Sequence, residues 1–70
     1  MTNNKKVVQQ LSRERKKLLT KIDRLAAFIS QDGPKLSSPL HLSLLNNQLR
    51  SMQSYLESID ARIIYLRQEE

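Results

Sequence analysis

An alternation of three- and four-residue spacings between apolar side chains runs along almost the whole chain, and it is broken only once, at Asp32-Gly33-Pro34. In the C-terminal half it connects Leu42, Leu45, Leu49, Met52, Leu56, Ile59, Ile63 and Leu66 without a gap. In the N-terminal half it connects Val8, Leu11, Arg15, Leu18, Ile22, Leu25 and Ile29, with one guanidinium in the line. This alternation places one apolar stripe along a helix, and such a stripe has to be covered by another helix. The sequence therefore predicts an all-α fold, an antiparallel two-helix coiled-coil hairpin.

The ends of the two helices are written in the residues that bracket each track. Thr2, Asn3 and Asn4 are each able to cap the first helix. Gly33 is expected to take the left-handed conformation that closes a helix, and Pro34 prevents continuation. Ser38-Pro39 reads as N-cap followed by first helical residue, where a missing N–H costs nothing. The expected helices are 4–31 and 39–68, each ~40 Å long at 1.5 Å per residue. A connection of about seven residues between helices of matched length favours the antiparallel arrangement.

Size constrains how such a hairpin is held together. Seventy residues make one domain, 1–70, and two helices enclose little interior. With no cysteine and a single histidine, His41, neither a disulfide nor a metal cluster is available as a staple. A lone hairpin would also leave Leu19, Ala26, Leu40, Leu44 and Ile64 at the edges of its seam. The expectation is a symmetric homo-oligomer, either a dimer forming a helical bundle or a higher assembly of such dimers. No segment approaches the roughly 20 apolar residues of a membrane span. Lys5-Lys6 is followed by too short an apolar run to be a secretion signal, so a cytoplasmic location is expected.

Charge is concentrated in the first helix. Residues 1–31 carry eight basic side chains against Glu14 and Asp23, a balance of +6, whereas residues 39–70 balance to −1. Two readings of this face stand side by side: a solvated surface that aids solubility, and a surface that binds an anion. Arg15 is a separate case because it occupies the apolar line itself. Left unpaired in a dry seam it would cost several kcal/mol. It either pairs with a carboxylate from helix 2 or another subunit, or it marks a polar cavity where an anionic ligand supplies the counter-charge. Beside the helix 2 track lie His41, Gln48, Tyr55 and Arg62, seven apart, and beside the helix 1 track lie Val7, Glu14, Lys21 and Phe28. An antiparallel register sets Glu14 opposite Arg62, for which an interhelical ion pair is the structural expectation. Phe28 and Tyr55 then pack at the edge of the seam.

Catalysis finds no support in these residues. There is no nucleophile–base pair with an orienting group, no glycine-rich phosphate loop and no metal-spaced ligand set, so no enzyme activity and no cofactor are expected. Arg13-Glu14-Arg15-Lys16-Lys17 overlaps the packed track and is not free to enter a DNA groove. Phe28, Tyr55 and Tyr65 are too scattered for a single-strand stacking platform, which leaves only non-specific phosphate contact with nucleic acid.

The segment Lys21-Ile22-Asp23-Arg24-Leu25-Ala26-Ala27-Phe28-Ile29, together with Gln48, Leu49, Met52, Tyr55, Leu56, Ile59, Arg62 and Ile63, resembles the small helical-hairpin proteins of tailed phages and prophages. The resemblance spans residues 18–66 and rests most on Gln48, Tyr55 and Arg62, which generic periodicity does not require. In size and architecture the chain is also similar to phage anti-CBASS and anti-Thoeris sponges, oligomeric hairpins that sequester cyclic-nucleotide signals. It lacks the Phe-Tyr-His-Pro-type segment of the best-known sponge hairpins, so no ligand contact is transferred from them. The resemblance implies a counter-defence protein in the bacterial host cytoplasm that binds a nucleotide-derived signal without transforming it. Candidate ligand residues are Arg15, Lys17, Lys21, Arg24 and Arg62 for phosphate, and Tyr55 or Phe28 for a base. The alternatives are a protein–protein inhibitor or adaptor acting on a host defence protein, as an anti-CRISPR does, and a non-specific nucleic-acid binder.

Overall fold

The computed structural model describes residues 4–69 and shows two helices, α1 (Asn4–Asp32) and α2 (Pro39–Gln68), folded back on each other as a rod of 55 × 15 × 12 Å. No helix among the described residues is long and apolar enough to cross a membrane. The seam is the line expected from the spacing. Val8, Leu11, Leu18 and Ile22 of α1 are buried with Ile59 and Ile63 of α2, and Val7, Leu49, Met52, Leu56 and Leu66 pack half-buried against them. Ile59 is the deepest side chain, 1% exposed. Burial is uneven along the rod. The buried side chains of α2, Ile59 and Ile63, lie toward the end that holds both termini, whereas Leu25, Ile29, Leu42 and Leu45 near the turn are only half-buried.

Both ends of the connection follow from local chemistry. Ser38 is extended, its Oγ accepts the His41 backbone N–H at 3.2 Å, and Pro39 occupies the first helical position. The expected left-handed glycine does not occur, since no glycine among the described residues has a positive φ. Gly33 instead opens a 3-10 turn, Gly33–Lys35, in which the Leu36 N–H donates to the Gly33 carbonyl at 3.1 Å. Pro34 lacks the N–H that would continue the α-helical ladder, yet its fixed φ is compatible with one tighter right-handed turn. Glycine is required here for room. A Cβ on Gly33 would stand 3.2 Å from Leu42 Cδ1, and the buried position lets α2 begin directly against the end of α1.

At the opposite end Asn4 is the first residue of α1, and its Nδ2 donates to the Leu66 carbonyl at 3.2 Å. It ties the start of one helix to the last turns of the other. Thr2 and Asn3, the other expected caps, lie outside the described residues. Two of the apolar edge residues also depart from expectation, as Leu19 and Ala26 are half-buried. Leu40, Leu44 and Ile64 are exposed, at 68%, 57% and 58%.

Candidate functional site

The helical period sorts the candidate ligand residues onto two flanks of the seam. Glu14, Lys17, Lys21, Arg24 and Phe28 follow one another at spacings of three and four, so they form a single line on α1, and all five are exposed. His41, Gln48, Tyr55 and Arg62 form the corresponding exposed line on α2. The Tyr55 hydroxyl donates to Glu14 Oε1 and joins the two lines across the seam. Lys17, Lys21, Arg24, Tyr55 and Arg62 therefore share one flank.

The Glu14–Arg62 ion pair expected from the register is not formed among the described residues; the Glu14 carboxylate accepts the Tyr55 hydroxyl instead. Tyr55 stands two turns of α2 before Arg62, and its long ring reaches back across the seam. This hydrogen bond to Glu14 is also the main cause that raises the Tyr55 pKa above the ordinary value of about 10, with desolvation and the carboxylate's charge acting in the same direction. The Arg62 guanidinium, one heptad further along the same line, opposes them weakly. The result is an exposed aromatic ring hydrogen-bonded to one carboxylate, on a flank that also carries guanidinium and ammonium groups. Cations of this kind hold phosphate oxygens, and the ring offers a face to a planar base.

Arg15 belongs to the other flank. Its Nε donates to Asp60 Oδ1 at 2.5 Å, so the carboxylate partner expected from α2 is present within the same chain. Both side chains keep about two fifths of their surface in solvent, and the pair sits at the lip of the seam. A shallow groove of about 410 Å³ opens beside it, lined by Ser12, Arg15, Asp60, Ile63, Ile64 and Arg67. Asp60 and Arg67 had not been singled out from the sequence. Their signal was available, since they lie a heptad apart and the antiparallel register brings Asp60 opposite Arg15. Tyr65 is exposed nearby, and the Glu69 carboxylate one turn further on raises its pKa above the ordinary value.

A family model described as Sequestin matches residues 5–65, the greater part of the chain, including both flanks. No curated protein and no solved structure matches it.

Proposed function

The chain belongs to the Sequestin family, and from that premise we propose that it sequesters a nucleotide-derived immune signal, of the cyclic-oligonucleotide or ADP-ribose type, as a phage counter-defence protein in the bacterial cytoplasm. Binding is non-covalent and the ligand is released unchanged. The family description supports sequestration as the mode of action. The chemistry of the ligand is supported by one arrangement: the Lys17-Lys21-Arg24 line lies beside Tyr55 and Arg62 on a single exposed flank. Lysine and arginine take the phosphates, and the aromatic ring takes a base. Homo-oligomerisation, through the apolar side chains that the hairpin leaves exposed, completes the reading.

A thermal-shift panel of cyclic di- and trinucleotides and ADP-ribose derivatives identifies the ligand class. The double variant Lys17→Glu, Lys21→Glu then tests the flank, because both residues are exposed and outside the buried seam. Each lost charge-assisted contact is worth about 1.5–3 kcal/mol, so nucleotide affinity is expected to fall a hundredfold or more by calorimetry. An intact double variant with full affinity refutes the assignment.

A further inference from the structure

One carboxylate interrupts an otherwise basic and neutral flank. Glu14 heads the exposed line that continues through Lys17, Lys21 and Arg24, and it is the one acidic residue on that flank of either helix. Lys17 follows it by three residues, so the two side chains are neighbours on the helix surface. Glu14 nevertheless forms no ion pair among the described residues. Its Oε1 accepts the Tyr55 hydroxyl from the other helix, a residue 41 positions away in the chain. A neutral phenol satisfies one oxygen of a carboxylate without cancelling its charge. A negative charge therefore stays at the head of a line of cations, where it works against any anion that the line holds.

We infer, on the nucleotide reading above, that Glu14 is the specificity-determining residue of this flank: it fixes the Tyr55 ring and rejects nucleotides that end in a phosphomonoester. The ligands this leaves are those whose phosphates are all esterified on both sides. Cyclic oligonucleotides and ADP-ribose share that property, although their bases and ring sizes differ.

Charge per phosphate is what separates the two classes. A phosphodiester carries one negative charge, whereas a terminal phosphomonoester loses its second proton at about pH 6 and carries nearly two at pH 7. Lysine and arginine alone would favour the more highly charged group, so mononucleotides and linear nucleotides would compete well for the flank. Glu14 opposes that preference by repulsion, the means by which a site rejects a wrong ligand that offers the same attractive contacts. One extra unit charge held about 6 Å from an exposed carboxylate, in surroundings near bulk water, lowers affinity by about three- to tenfold. The second role of Glu14 is positional. Tyr55 is 49% exposed, and its hydroxyl bond to Glu14 holds the ring across the seam before a base arrives, which reduces the ordering that binding requires.

Calorimetry on the full chain with three probes tests both roles. The probes are a cyclic dinucleotide, its linear form with a terminal 5′-phosphate, and the same linear form without that phosphate. The third separates ring opening from charge. Where ADP-ribose is the nucleotide that binds, ADP is the matching phosphomonoester. Glu14→Gln removes the charge and keeps an oxygen able to accept the phenol. It is expected to improve affinity for the phosphomonoester probe by about three- to tenfold more than for a probe without one. Tyr55→Phe keeps the ring and the Glu14 charge but loses the bond, and is expected to weaken the probes by a common factor while preserving their ranking. Circular dichroism confirms that both variants keep the helical content of the wild type. Equal gains for all probes in Glu14→Gln overturn the charge discrimination and leave the nucleotide reading standing. Tyr55→Phe binding as the wild type does overturns the positional role. A wild type that binds no cyclic nucleotide and no ADP-ribose derivative removes the nucleotide reading, and this inference with it.

Discussion

Ile59 and Ile64 are the same residue on the same helix, one 1% and the other 58% exposed, and the contrast isolates what the seam contributes. A 70-residue chain at 0.05–0.15 kcal/mol per residue has roughly 3.5–10 kcal/mol of total stability. Ile59→Ala would remove about 2–5 kcal/mol through lost burial and a residual cavity, enough to leave the fold marginal. Ile59→Val is the better probe. It keeps the branched shape, deletes one buried methyl group and should cost about 0.5–1.5 kcal/mol. For a domain of this size each kcal/mol lowers Tm by about 4–8 °C. Ile64→Val deletes the same methyl group where water already reaches it, and should stay within about 0.5 kcal/mol. Circular dichroism followed through thermal and urea unfolding, at equal protein concentration for all variants, measures both. Equal losses at the two positions would refute the reasoning, because the seam between α1 and α2 would then not be what distinguishes them.

Ultraviolet titration should show Tyr55 ionising above the ordinary tyrosine range, and Glu14→Gln should move it back toward that range. The Tyr55–Glu14 bond stabilises the fold at pH below the ordinary phenol value, and this contribution is lost as pH rises through the raised one. For Arg15 and Asp60, each about two fifths exposed, a double-mutant cycle on thermal stability should give a coupling no larger than about 1 kcal/mol, falling further in high salt. A coupling of several kcal/mol would mean the pair is sealed from solvent in the assembled protein.

The hairpin was legible because its seam is written in residues whose only common property is being apolar at the right interval. The Ser38-Pro39 start was equally legible, being a matter of local hydrogen bonding. Gly33 was misread for a reason of kind. Its conformational freedom is a local property that sequence suggests, whereas its contact with Leu42 depends on how closely two helices approach. The need of Arg15 for a carboxylate followed from its place in the seam, but the choice of Asp60 required the register. Glu14 shows the limit of register alone, because its hydrogen-bond partner is a long ring one heptad away and not the residue directly opposite.

The uneven burial of the rod bears on how the chain reaches this state. In a hairpin that zips from its turn, each new contact is close in sequence to the last, and the first ones must already be worth forming. Here the turn end offers half-buried apolar side chains around the buried Gly33, whereas the most buried side chain of α2, Ile59, lies further along the rod and the cross-links Arg15–Asp60 and Asn4–Leu66 join residues 45 and 62 positions apart. Closing a loop of that length costs entropy before burial repays it, although the cost grows only logarithmically, by about 0.6 kcal/mol per doubling. The rate-limiting step is therefore expected late, when the two ends meet, and stopped-flow refolding should be slower than the helical content alone suggests. The same asymmetry operates in reverse in the folded protein. Backbone amides should therefore exchange faster around the connection at 33–38 than around the buried Ile59.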